Sequence, residues 1–256
     1  EHRVGASGEW GDATRPRSLP VDMPSSAGEN FYRVRAVRGS LASAWTESAS
    51  VTTVAQPKAP TVTGVSARYP TGSEATVSWV PNHPDGSAQA AAEVELTDPS
   101  GKASLVNVSG AATSAASGAL SKGHWSVRVR TRGAWAEGDG WGEWSQSSAF
   151  DVYDLPSVRL TVKSVVDRMP IEASWEISDE TGVSRQLLQI LDSSGEVVFV
   201  VELPAEFRGA VIMAHNFLPE NGGDYVLRLS VTGGSSLVTV ATAAFVVRWN
   251  APAAPS

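Results

Sequence analysis

The chain has 256 residues, 42% of them hydrophobic and 18% charged, with a formal net charge of −7 and no cysteine. The acidic balance argues against a phosphate-backbone partner, which needs clustered Lys and Arg. The lack of cysteine excludes disulfides, thiolate metal sites and thiol nucleophiles. No apolar run approaches the ~20 residues that cross a bilayer as a helix, so neither nucleic-acid binding nor membrane insertion is expected.

Glu1-His2-Arg3-Val4 carries no initiator Met and leads into no apolar stretch with a small-residue cleavage site. The sequence therefore reads as a fragment without a signal peptide. Residues 1–10 alternate as a middle strand and hairpin would. Gly28-Glu29-Asn30-Phe31-Tyr32 then turns into a strand with Tyr32, Val34 and Ala36 on one face and Arg33 and Arg35 on the other, and Trp45 follows.

A ruler for the chain is set by its prolines and tryptophans: Pro60, Pro156 and Pro252 are 96 residues apart in turn, as are Trp79 and Trp175. Each proline sits in a short breaker segment and is expected to stop one sheet from running into the next. By this ruler residues 1–55 form a partial unit lacking its first strands. Residues 56–153 and 154–250 form two full units, and 251–256 form a linker.

In the second unit, Ala75-Thr76-Val77-Ser78-Trp79 and Ala92-Glu93-Val94-Glu95-Leu96-Thr97 alternate as half-buried strands. The latter runs into the turn Asp98-Pro99-Ser100-Gly101. Trp125/Val127/Val129 mark a further core strand whose other face carries Arg128, Arg130 and Arg132. The loop Gly138-Asp139-Gly140-Trp141-Gly142 is glycine-rich, but no helix follows it to hold a phosphate, so it reads as a hairpin connection. The third unit repeats the scheme with Ile171-Glu172-Ala173-Ser174-Trp175, a turn at Gly195, and Tyr225/Leu227/Leu229/Val231. Tyr32 and Tyr225 both follow Gly-containing turns, the position of a tyrosine corner.

This succession of Pro, Trp, turn-Tyr-x-Val-Arg-x-Ala strand and closing Trp-Ser strand resembles fibronectin type III domains over nearly the whole chain. The resemblance implies an all-β fold of tandem antiparallel β-sandwiches. Residues 169–175, 191–198, 224–229 and 246–252 further resemble repeats in tail proteins of phages or prophages of Gram-positive bacteria. That likeness implies a non-catalytic spacer or binding module on a virion, with a bacterial surface or secreted adhesin or enzyme-associated module as the alternative. Either placement is extracellular.

His2, His83, His124 and His215 are scattered and lack zinc spacing. No Gly-x-Ser-x-Gly elbow occurs. The turns at Asp179-Glu180 and Asp192-Ser193-Ser194-Gly195-Glu196 lack the alternating oxygens of a calcium loop. No enzyme activity, metal or cofactor is expected. The sharpest cluster is aromatic and basic: Arg128 and Arg130 with Trp144, and Arg33 and Arg35 with Trp45, are read as structural ladders of guanidinium on indole. The Trp-x-x-Trp-Ser stretch is similar to the Trp-Ser-x-Trp-Ser box of cytokine-receptor sandwiches, where such a ladder is structural. Trp135 and Trp141, placed beyond the ladder, are the candidate contacts for a ligand. Protein partners or a host-surface glycan are the expected classes.

Overall fold

The computed structural model describes residues 1–16, 22–135 and 140–249, and among these every regular element is a strand. By contacts the chain divides into two compact units. One comprises Glu1–Ala67, Glu74–Ala119 and His124–Phe150; the other comprises Arg68–Ser73, Leu120–Gly123 and the residues from Asp151 on.

The first region contains β1 (His2–Val4), β2 (Gly28–Val34), β3 (Val37–Arg38), β4 (Leu41–Ala42), β5 (Thr46–Glu47) and β6 (Val51–Thr53). Strand β2 is its axis. It pairs antiparallel with β1 through His2↔Tyr32, with β6 through Asn30↔Val51 and with β5 through Val34↔Thr46. Within residues 1–10 the chain turns at Gly5, where Gly8 N bonds Gly5 O at 3.3 Å, and comes back to β1 through a bond from Gly11 N to His2 O at 2.9 Å, while the other edge of β1 pairs with β2; the returning segment is not itself a regular strand. Nor is the face of Tyr32, Val34 and Ala36 a buried core: Tyr32 is half-buried, Val34 is 64% exposed, and Ala36 lies beyond the strand. The buried centre is polar instead. Asn30, 0% exposed, donates its amide to the carbonyls of Ser26 and Gly28 (2.8 Å each) and accepts from the Ser26 amide at 2.9 Å. Satisfying every polar atom is what lets such a side chain be buried.

The middle region contains β7 (Lys58–Thr63), β8 (Arg68–Pro70), β9 (Glu74–Asn82), β10 (Gln89–Thr97), β11 (Ala103–Ser109), β12 (Ser114–Ala119), β13 (Gly123–Gly133) and β14 (Ser148–Tyr153). A three-stranded sheet β12-β9-β7 faces a five-stranded sheet β11-β10-β13-β14-β8. Alternation decides which side chains meet between them. Ala75, Val77 and Trp79 from β9 are at most 2% exposed, as are Ala92, Val94 and Leu96 from β10 and Val127 and Val129 from β13.

The third region repeats this order: β15 (Ser157–Val162), β16 (Val165–Val166), β17 (Ile171–Ser178), β18 (Val183–Leu191), β19 (Val197–Leu203), β20 (Gly209–Ile212), β21 (Asp224–Gly233) and β22 (Val238–Val247). The sheets are β15-β17-β20 and β16-β22-β21-β18-β19. Ile171, Trp175, Leu188, Ile190, Leu227, Leu229, Val231, Phe245 and Val247 fill the core. Among the described residues β8 pairs with β14 and β16 with β22 in parallel, alongside antiparallel ladders such as β10 with β13 and β18 with β21. A three-stranded sheet packed on a larger one, with sequential hairpins and crossovers between sheets, is an immunoglobulin-like sandwich.

Two local expectations are refined. Pro60 does not end a sheet; it is buried inside β7. It is tolerated there because β7 is an edge strand whose register to β9 shifts between Lys58 and Thr61, where a missing N–H breaks no ladder bond. Pro252 lies outside the described residues. Both tyrosine hydroxyls bond back to the chain: Tyr225 Oη accepts the Glu220 amide at 3.0 Å, and Tyr32 Oη donates to the Pro24 carbonyl at 3.1 Å.

Candidate interaction surface

The outer face of β13 is built by simple alternation: with Val127, Val129 and Thr131 turned into the core, Arg128, Arg130 and Arg132 must point outward. Register then gives two of them carboxylate partners, since β10 sets Glu95 opposite Arg128 and Glu93 opposite Arg130. The bonds follow, Arg128 Nε to Glu95 Oε1 at 2.7 Å and Arg130 Nε to Glu93 Oε2 at 2.6 Å. A guanidinium that donates in its plane keeps its faces free for stacking. Trp144 takes Arg128 and Arg130 at 4.7 and 4.6 Å from its ring centroid, and Trp141 takes Arg130 and Arg132 at 5.2 and 5.8 Å.

Trp141 is therefore misplaced by the sequence reading that set it beyond the ladder. It bridges to Arg132 in antiparallel register and is half-buried among the cations, because Gly142 N bonds Thr131 O at 2.8 Å and draws the chain alongside β13. Ser145 completes the attachment: its amide donates to Val129 O at 2.7 Å, while its hydroxyl accepts the Val129 amide at 3.0 Å. The serine of the Trp-Ser pair thus replaces a strand bond and holds Trp144 in place. Of the loop from Gly138, residues 138 and 139 lie outside the described residues. Trp135 is 37% exposed.

The first region carries a second stack. Arg33 lies 4.3 Å from the Trp10 centroid and 4.5 Å from that of Trp45, and Arg35 lies 4.3 Å from Trp45. Arg3 extends it, 4.4 Å from Trp10 and 5.0 Å from Phe31. Glu1 pairs with Arg33, and Glu47 lies 3.6 Å from Arg3. Arg3, Trp10 and Phe31 escaped the sequence reading; the Arg-x-x-x-x-x-x-Trp spacing of Arg3 and Trp10 means nothing until β1 is laid beside β2.

In the third region the same face is of different chemistry. Gln189 and Arg228 stand opposite each other and bond at 2.9 Å, Leu187 faces Ser230, and β22 contributes Val240 and Thr242 where an indole would sit. Val200, Val238 and Val240 are 56%, 50% and 53% exposed.

The acidic turns are closed by their own chains. Asp98 Oδ1 accepts the Ser100 amide, the Ser100 hydroxyl and the Lys102 amide at 2.8, 2.6 and 2.9 Å, and Asp192 does the same with Ser194 and Glu196 at 2.9, 2.6 and 3.0 Å. The hydroxyl bond above all holds each carboxyl below the usual carboxylate range. His83 is likewise engaged, with Nδ1 at 3.0 Å from Ser87 O and Nε2 at 3.0 Å from Thr131 Oγ1.

No protein-family model matches the chain, and no curated protein does. Among solved structures the chain is similar to the FN1–FN3 domains of chicken CNTN1, at 15% identity and a TM-score of 0.43 over 86% of this chain and 75% of that one. It is similar to a two-domain fibronectin type III segment of chicken tenascin, at 14% identity and a TM-score of 0.33 over 74% and 98%. It is also similar to fibronectin(III)-like modules of Clostridium thermocellum CbhA, at 17% identity and a TM-score of 0.40 over 77% and 94%. The strand order and core of the chain itself make it an all-β tandem of fibronectin-type-III-like sandwiches.

Proposed function

We propose that this chain is a non-catalytic spacer and binding module, and that the assembly it serves is the tail tip or fibre of a phage or prophage. One observation carries the first part. Side chains that elsewhere do chemistry are here committed to holding hairpins: Arg128 and Arg130 between glutamates and indoles, Asp98 and Asp192 inside their turns. Sandwiches whose arginines and turn carboxylates are engaged in this way present surface and shape. The second part is supported by the resemblance of the third unit to tail repeats. Its test is fractionation: particles induced from the producing cells are banded by density, and the parent chain is sought by mass spectrometry in the particle band and in the wall fraction. Recovery in the particle band supports a virion role; recovery in the wall fraction alone overturns it in favour of a surface module.

A carbohydrate-binding role is the second reading, favoured by one observation, the exposure of Trp135. A glycan array with wild type and Trp135→Ala tests it: binding lost in the variant supports a sugar platform at that loop, and no binding by wild type removes it. The partner in either reading is a protein or a host-surface glycan, met outside the cell.

A further inference from the structure

Residues 55–57 connect the first region to β7, and the middle region grips them from two sides. On one side is Asp85, 4% exposed, in the segment between β9 and β10. Its Oδ2 accepts the Ala55 amide at 3.2 Å while its Oδ1 accepts the Ser87 amide at 2.9 Å. Gly28, at the start of β2, comes so close to the backbone of Asp85 that an added Cβ would lie 3.1 Å from its carbonyl oxygen. On the other side is the segment that begins with Trp141. The Trp141 carbonyl accepts from Gln56 Nε2 at 2.9 Å, and the Glu143 amide donates to the Pro57 carbonyl at 3.3 Å. Pro57 is buried against Gly142, where a Cβ would stand 2.5 Å from the Pro57 oxygen.

We propose that these contacts form a clasp fixing the first region to the middle sandwich as one stiff body, and that the tail end of the arginine ladder is part of it. Arg130 and Arg132 hold Trp141 in place, and the segment from Trp141 to Glu143 then receives Gln56 and Pro57. Trp141 is a junction residue in this reading, and its stack connects the outer face of β13 to the linker. The other compact unit contains the same device built from different residues: Glu180, between β17 and β18, accepts the Asp154 amide at 3.3 Å, and Lys122 binds both acids. A carboxylate in the same inter-strand segment taking a linker amide twice in one chain marks a recurring solution. Proline in a connector limits bending by itself; the clasp removes the remaining freedom by anchoring the Ala55 amide and the Gln56 side chain before Pro57 and the Pro57 carbonyl itself. The inference goes beyond the spacer reading and stands apart from it, since a gripped linker follows from the contacts whatever assembly carries the chain.

Limited trypsin digestion of the full chain is the test. Lys58 lies directly after the clasped residues, and Lys102 in the β10–β11 turn serves as an internal control for opening of the sandwich itself. When opening is fast relative to cleavage, the rate tracks the open population. Gln56→Ala, at an exposed side chain, and Asp85→Asn, which cannot accept the Ala55 amide with its new NH2, are each expected to raise cleavage after Lys58 about tenfold, with cleavage after Lys102 unchanged. The double variant should exceed both. Unchanged cleavage after Lys58 in Gln56→Ala overturns the clasp. So does a parallel rise after Lys102, which would mean that the whole sandwich has loosened. Asp85 is buried, so if its variant does not fold, Gln56→Ala and Trp141→Ala carry the comparison, with the same two cleavage sites read.

Discussion

The indole Nε1 of Trp175 donates to Oε1 of Gln186 at 2.7 Å inside the third sandwich, joining β17 of one sheet to β18 of the other. Gln186, 0% exposed, uses its amide to donate to the carbonyls of Pro204, Ala205 and Phe207 at 2.8, 2.9 and 3.1 Å. Trp79 and Gln89 make the same bond at 2.8 Å in the middle sandwich. One glutamine thus settles an indole and three carbonyls. Gln186→Ala is expected to destabilise the third sandwich by about 2–4 kcal/mol, because a buried unsatisfied group costs ~1–3 kcal/mol. Gln186→Glu should be worse, since it sets a carboxylate against carbonyl oxygens with no donor to offer. Urea unfolding followed by Trp fluorescence checks both; a Glu variant as stable as wild type would refute the assignment of the amide bonds.

Trp144 and Trp141 should separate by magnitude. Trp144 stacks two arginines at under 5 Å, while Trp141 holds its two at 5.2 and 5.8 Å. At roughly 0.5–1 kcal/mol for each exposed cation–π contact, with the ring's own burial added, Trp144→Ala is expected to cost about 2–3 kcal/mol and Trp141→Ala about 1 kcal/mol. Chemical denaturation of the two variants side by side measures it. Equal losses would mean that the stack does not end where the geometry places it.

The acid limb of stability should be traceable to turns. Asp98 and Asp192 have folded pKa values depressed chiefly by the serine hydroxyl bond. Such a carboxylate stabilises the fold above its unfolded pKa of about 3.9, and that contribution is lost as pH falls through the lower folded value. The double variant Asp98→Asn/Asp192→Asn is therefore expected to melt lower than wild type at pH 7 and to lose less on acidification. Melting temperatures from pH 7 to 2.5 give the comparison; parallel curves would contradict it.

Tyr225→Phe removes only the hydroxyl that accepts the Glu220 amide, leaving the ring against Phe217 and Phe245 at 5.5 Å each. The expected loss is about 1 kcal/mol, with hydrogen exchange at the Glu220 amide accelerated and exchange in β17 unchanged. Faster exchange in β17 as well would place the role of Tyr225 in ring packing.

Much of this architecture was legible in local pattern. Alternation in Ala75–Trp79 and Ile171–Trp175, the Asp-x-Ser-Gly turns and the tyrosines after glycine turns are short-range signals, and each fixes which face of a strand is apolar or where the chain reverses. Arg128 and Arg130 belong to that category because alternation on one strand decides their side.

The rest needed three dimensions. The register that lays Trp141 beside Arg132, the pairing that brings Arg3 and Trp10 to Arg33, the burial of Asn30 against His2 and Thr53 and the reach of Gln186 to Trp175 all join residues of different segments. Their geometry is set by which strands share hydrogen bonds. A period of two along a single strand decides inward from outward; it is silent on the neighbour. The ladder with which the sequence pairs Trp144 was therefore a property of one strand and its loop, whereas its extension through Trp141 to the linker belongs to the folded sheet, where backbone bonds from Gly142 and Ser145 choose the partner.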